Sequence, residues 1–226
     1  MQEYLILKIE GMLQSWGTHT YEDYRPSNMF PTLSGVLGLL AACVGIERRD
    51  RERLQALDHS IELAVRIDRV MMDKHRLTPV KITDFHTVMD ARKVDGKVNK
   101  YPVVSRREYL CDAKFTLAIR TAAHPLITLD ALEAAIKKPH YTPFLGRRAC
   151  PLTRPLWEMR IQADTFETAL EQVEPRQGGV IYSEWLDANY PGRLERDVPV
   201  RDSKRQFATR HIRIKTQGKG TAHVSQ

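Results

Sequence analysis

The sequence predicts an α+β fold: a βαββαβ unit interrupted by a basic β-hairpin, followed by a smaller β-rich domain. Three observations predict it. Residues 61–68 and 114–120 alternate apolar and polar side chains with the period of a strand. Between the strand patterns lie apolar helical segments preceded by Ser or Thr caps. A polar stretch at about 73–107 is too long for a simple connection and is rich in β-formers.

The elements follow in chain order. Residues 4–9 are a short apolar run ending at Gly11, which reads as a buried strand. Residues 14–31 are rich in turn formers and carry Trp16, Tyr21, Tyr24 and Arg25. Thr32 and Ser34 cap a buried helix over roughly 35–44, and residues 51–57 form a second short helical piece. In 61–68, Ile61, Leu63, Val65 and Ile67 face one side, the pattern of a half-buried strand. Val80, Ile82, Phe85 and Val88 mark the insertion as a protruding hairpin. Phe115, Leu117 and Ile119 give the next strand, and Thr128 caps a helix ended by Pro139. A strand near 141–145 would complete residues 1–150. That order resembles a ferredoxin-like (RRM-like) unit, an arrangement also used by RNA-recognition domains. In the smaller domain, 151–226, residues 156–162 and 180–183 read as strands. Asp164 and Glu167 read as a capping box. Ile212 and Ile214 mark a last strand with one basic face, before a basic tail.

The 226 residues carry a net charge of +7. Residues 203–226 hold Lys204, Arg205, Arg210, Arg213, Lys215 and Lys219 and no acid. Two further basic stretches span 92–107 and 137–160. If they converge in the fold, nucleic acid is the natural partner. No apolar run reaches the length of a membrane span, and no signal peptide is expected. Three widely spaced cysteines (Cys43, Cys111, Cys150) without a CxxC pair argue against a disulfide framework or a zinc site and for a reducing cytoplasm. No cofactor is expected: there is no P-loop, no GxSxG, no HExxH, and Gly35 and Gly38 do not follow a strand directly.

The candidate binding residues are arginines beside glycine or aromatics. Gly146-Arg147-Arg148 suits a phosphate-binding turn, because glycine lets backbone N–H groups approach an anion and each arginine offers a planar fork. An ordinary turn with exposed arginines fits the same residues. Arg106, Arg107 and Tyr109 can grip phosphates and stack on a base, or protect a hairpin edge with charge. Ser34 stands at a helix start, where anions bind or a cap suffices. Trp16, Tyr21, Tyr24 and Arg25 supply stacking platforms or loop anchors, with anchoring the favoured role for Trp16. Metal-independent RNA cleavage would need a base, an acid and a cation, for which His86, His140, His211 and Tyr109 are candidates.

Six segments read together resemble one family: MLQSWG (12–17), FPTLSGVLGLLAACVGI (30–46), DFHTV (84–88), REYLCDAKF (107–115), YTPFLGRRACPLTRPLW (141–157) and RQFATR (205–210). They are similar to the repeat-associated RNA-binding superfamily of CRISPR proteins, and within it to the subunits that hold the 5′ handle of crRNA in type I-E Cascade complexes. Order and spacing match over nearly the whole chain, while 90–104 and 186–200 match poorly. The resemblance implies a ferredoxin-like domain with a thumb-like insertion and a smaller C-terminal domain. It implies binding of the crRNA 5′ handle and contact with the backbone, large and small subunits of the complex. Target DNA is then met indirectly, through the complex. A separate subunit does the cutting, although relatives in another subtype use a Tyr/His/Lys-type site. No catalytic residue is assigned here. The expected RNA-binding residues are Trp16, Arg25, Ser34, His86, Arg106, Arg107, Tyr109, Arg147 and Arg148, with His86 a neighbour of a base.

Overall fold

A computed structural model describes residues 1–18, 20, 23–68, 79–93, 95–176, 179–201 and 206–217. Its elements are β1 (Gln2–Glu10), β2 (Leu13–Gln14), β3 (Trp16–Gly17), β4 (Tyr24–Arg25), β5 (Ser27–Asn28), α1 (Leu33–Val44), α2 (Arg51–Ser60) and β6 (Ile61–Ile67). There follow β7 (Val80–Val88), β8 (Val103–Cys111), β9 (Lys114–Thr121), α3 (Leu129–Lys137), β10 (Trp157–Ala163), α4 (Phe166–Glu171), β11 (Val180–Ser183), β12 (Gly192–Val200) and β13 (Gln206–Thr216). The fold is mixed α/β with mostly antiparallel sheets. Seven strands pair in the order β10-β1-β9-β6-β11-β13-β12. A second sheet runs β2-β8-β4, with β7 also paired to β8.

The large sheet is covered on both faces, which explains its sequence. On one face Leu5, Leu7, Ile9, Leu63, Val65, Leu117 and Ile119 pack with Leu37, Leu40, Leu132 and Ile136 of α1 and α3. Each fully buried leucine there contributes about 1.5–3 kcal/mol relative to exposure. On the other face Tyr4, Ile6, Ala64 and Ala118 pack against Phe166, Ala169 and Leu170 of α4. A strand buried on both sides reads as a continuous apolar run, and β1 does. β6 is therefore not half-buried as its alternation predicts. Arg66 sits on the α4 side with no exposure. It donates to Asp68 Oδ1 (2.6 Å), Thr116 Oγ1 (3.0 Å) and the carbonyls of Leu170, Val173 and Glu174. A charge read as solvent-facing is instead satisfied by the fold.

The helix caps follow the sequence with small shifts. Thr32 caps α1, its Oγ1 accepting from Gly35 N at 3.3 Å, and Gly45 ends it at φ +80°. Ser34 lies inside the first turn and is not the cap. Thr128 caps α3 as read. In α4 the reciprocal box is Thr165 with Thr168, one residue beyond the predicted Asp164 and Glu167.

Residues after 150 do not build a separate sheet. β10 borders β1 at one edge, and β11, β13 and β12 continue the other edge beside β6. No strand forms over 141–145, where Phe144 makes only an isolated bridge to Pro151. β12 was not legible in the sequence: its Arg193, Glu195, Arg196, Asp197 and Pro199 suit an edge strand, where charge and proline block further pairing. Among the described residues, no helix is long and apolar enough to cross a membrane.

Candidate nucleic-acid interface

The insertion folds as an antiparallel hairpin in register from Val80↔Cys111 to Val88↔Val103. Directly opposed residues share a face, and faces alternate along each strand. One face therefore carries Ile82/Tyr109, Asp84/Arg107 and His86/Ser105. The other carries Thr83/Glu108 and Phe85/Arg106. β7 is exposed along nearly its whole length, with Phe85 63% exposed. Val80, Ile82 and Val88 of the same strand are also 39–48% exposed.

Two other segments dock against the base of this hairpin. β4 lies parallel to β8, pairing Tyr24↔Arg106 and Arg25↔Arg107. That sets Arg25 beside Arg107. The turn at 144–150 packs against the 14–16 segment, where Ser15 N donates to Leu145 O at 3.1 Å. Gly146 has φ +82°, and a Cβ there would lie 1.7 Å from Ser15 O. Only glycine fits, and it aims Arg147 at the hairpin. The Arg147 guanidinium carbon stands 4.5 Å from the centroid of the Tyr109 ring. Its Nη2 donates to Arg25 O at 3.2 Å, while its buried Nη1 has no hydrogen-bond partner among the described residues. Arg107 Nε donates to Ser105 Oγ at 3.0 Å, and His86 Nε2 lies 2.6 Å from Asp84 Oδ2. Arg25, Arg107, Arg147 and Tyr109 thus lie on one face, at the seam of three segments distant in sequence, with His86 farther along the same face opposite Ser105.

The remaining predicted residues divide. Trp16 is fully buried, its Nε1 donating to Gln14 Oε1 at 3.1 Å and its ring against Gly35. Its faces are taken by the core, so it is no stacking platform. Ser34 stands near a helix start whose anion is already supplied: Leu33 N donates to Asp197 Oδ2 at 2.7 Å. Arg106 is exposed on the opposite face of β8, with its backbone N–H bonded to Asp23 O. Arg148 is exposed in the glycine turn. Tyr21 lies outside the described residues.

The three basic stretches do not converge as a whole. In the second, Arg154 pairs with Glu10 and Glu158, and Arg160 with Glu3, Asp130 and Glu133. In the third, Arg210 is held bidentately by Asp197 at 2.7 and 2.9 Å. Lys204, Arg205 and Lys219 lie outside the described residues. Arg148 of the second stretch is exposed beside the hairpin, and Lys138 is exposed at the end of α3.

Glu108 is the residue the sequence did not single out. It is buried on the face opposite Arg107. It accepts from Tyr24 Oη, from Ser27 N at 2.9 Å and from Lys81 Nζ at 2.8 Å. Burial pushes its carboxyl up, but the bonds from Lys81, Tyr24 and Ser27 outweigh that and hold it below the ordinary glutamate range. The Tyr24 hydroxyl, bound to this carboxylate, is raised. A glutamate flanked by two arginines and a tyrosine reads as surface charge; only pairing with distant Lys81 and Tyr24 reveals its burial. Among the described residues, no three His, Cys, Asp or Glu side chains gather as metal ligands would.

A mixed α/β protein that presents arginines and an aromatic on a protruding hairpin has the build of a polyanion-binding protein. The CRISPR-associated protein Cas5 family matches residues 4–213, and the chain belongs to that family. It is 42% identical over 227 residues to the CRISPR system Cascade subunit CasD of Escherichia coli (strain K12), with 100% of both chains covered. Among solved structures, a chain of a CRISPR RNA-guided surveillance complex aligns at TM-score 0.73 and 28% identity, covering 96% of this chain and 92% of that one. A Cas protein crystal structure aligns at TM-score 0.64 and 27% identity, covering 96% and 95%.

Proposed function

We propose that this chain is the subunit of a type I-E Cascade complex that binds the 5′ handle of the crRNA and does not itself cut RNA. The convergence of Arg25, Arg107 and Arg147 around Tyr109 carries this reading. Arginine forks suit phosphates; Tyr109, expected to stack on a base, is itself buried at 5% exposure and instead seats the Arg147 guanidinium on its ring. Likeness to a Cascade subunit over the full chain supports it. Arg148 extends the phosphate track, and Arg106 serves the opposite face of the same hairpin. His86 flanks a base. Trp16 and Ser34 act through the core and α1 and touch no RNA.

The fold assignment belongs to the same reading. Strands β10-β1-β9-β6 with α1 and α3 crossing over one face have the order of a ferredoxin-like unit, closed by β10 instead of a strand at 141–145. The β7–β8 hairpin is its thumb. The exposed apolar residues on it, Phe85, Met89 and Tyr101 among them, suit the backbone, large and small subunits of the complex. Target DNA is reached through those subunits, and the cytoplasm is the compartment this role requires.

One observation favours the runner-up, a metal-independent endoribonuclease. The Asp84 contact to His86 Nε2 orients an imidazole on the arginine face, opposite Ser105. Labelled CRISPR repeat RNA mixed with the purified chain in EDTA separates the two. Binding without cleavage, preferring the 5′ handle over a scrambled sequence, is expected. Cleavage at one position of the repeat, abolished by His86→Ala, would establish the endoribonuclease.

A further inference from the structure

Glu108 makes no contact on the arginine face, yet it collects donors from both segments that frame that face. Tyr24 Oη and Ser27 N come from the strand-and-loop segment that carries Arg25. Lys81 Nζ comes from β7, and the same ammonium donates to Ser27 O at 2.8 Å. Arg106 N, two residues before Glu108 on β8, donates to Asp23 O at 2.9 Å. Ser15 Oγ donates to Glu108 O at 3.2 Å, tying in the segment on which Gly146 rests. β4 is only two residues long and cannot hold its own register. A buried carboxylate with three donors can hold it.

We infer that Glu108 is a positioning residue for RNA binding: with Lys81 and Tyr24 it locks β4 parallel to β8 and so sets Arg25 beside Arg107 and beneath Arg147. The inference rests on the handle-binding reading and adds the device that preorganises it. Without the lock, residues 23–28 lose their anchor on the hairpin, and Arg25 O no longer meets Arg147 Nη2. The arginines stay on the chain, but their common face is lost.

A double-mutant cycle tests this on the full chain with a labelled 5′-handle oligonucleotide. Arg25→Ala, Glu108→Ala and the pair are compared for RNA affinity, with thermal unfolding as the check on folding. Because Glu108→Ala strips three donors of their acceptor, Tyr24→Phe repeats the cycle in milder form. Positioning through Arg25 makes the losses overlap: once Glu108 or the Tyr24 hydroxyl is gone, Arg25→Ala costs little more, a coupling of about threefold or more. Arg25→Ala weakening RNA while neither Glu108→Ala nor Tyr24→Phe does, or fully additive losses, would overturn the inference and leave the binding reading standing. Unchanged affinity after Arg25→Ala, Arg107→Ala and Arg147→Ala alike would sink the binding reading, and the positioning role with it.

Discussion

In the large sheet, Arg66 is completely buried and its guanidinium donates to a carboxylate, a hydroxyl and three carbonyls. On the hairpin sheet, Arg147 stacks on one ring, gives one bond to a carbonyl and keeps a nitrogen without a partner among the described residues. The two regions spend the same residue type in opposite ways. Arg66, Arg160 and Arg210 answer acids of their own chain. Arg147 and Arg107 meet only neutral groups in the contacts described, a carbonyl and a hydroxyl. A count of basic residues therefore says little about where a polyanion binds. The partner set of each arginine says much more.

The largest effect that could break this comparison is Arg66→Met. It leaves Asp68 buried with Lys8 as its remaining cation, at 3.3 Å. Removing one member of a buried pair costs about 3–5 kcal/mol, read as a lower denaturant midpoint, with no change in the salt dependence of RNA binding. A variant as stable as the parent would mean the cluster does not hold α4 to the sheet. Next comes Gly146→Ala. A left-handed backbone costs a side-chain-bearing residue about 1–2 kcal/mol, and the clash with Ser15 O adds to it. Both stability and RNA affinity should fall, since Arg147 follows immediately. Retained affinity would show that the turn does not aim Arg147.

A smaller effect follows from Glu108, whose carboxyl titrates below its ordinary range in the fold. A group with a lowered folded-state pKa stabilises above its unfolded value and loses that contribution as pH falls through the folded one. The stability advantage of the parent over Glu108→Gln should be full at neutral pH and close only in acid, below ordinary glutamate titration. A gap independent of pH would remove ionised Glu108 from the lock. The smallest effect is Arg106→Ala, which stays within about 0.5 kcal/mol of parental stability as an exposed substitution does. It should weaken RNA less than Arg107→Ala. Equal losses would mean that both faces of β8 bind RNA.

The contrast also marks what could be read from the chain. The inserted hairpin and most strands were legible because alternation and capping act over a few residues. Thr32 and Thr128 announce their helices locally. The double burial of β6 was not, since α4 covers it from a hundred residues away and Ala64 looks like any small residue. Arg107, Tyr109 and Arg147 were named individually from their neighbours in sequence. Their meeting depends on Gly146 fitting against Ser15 and on β4 lying beside β8, which are long-range contacts. Trp16 was named among the RNA contacts because a tryptophan in a turn-rich loop has the same local appearance buried or exposed.

The most direct test is the salt dependence of 5′-handle RNA binding by the Arg107→Ala/Arg147→Ala double variant. Each phosphate contact to single-stranded RNA contributes about 0.7 to the log–log slope. Two lost contacts should lower the slope by about 1.4, with the thermal midpoint of the protein nearly unchanged. An unaltered slope would contradict the assignment of Arg107 and Arg147 to the RNA backbone.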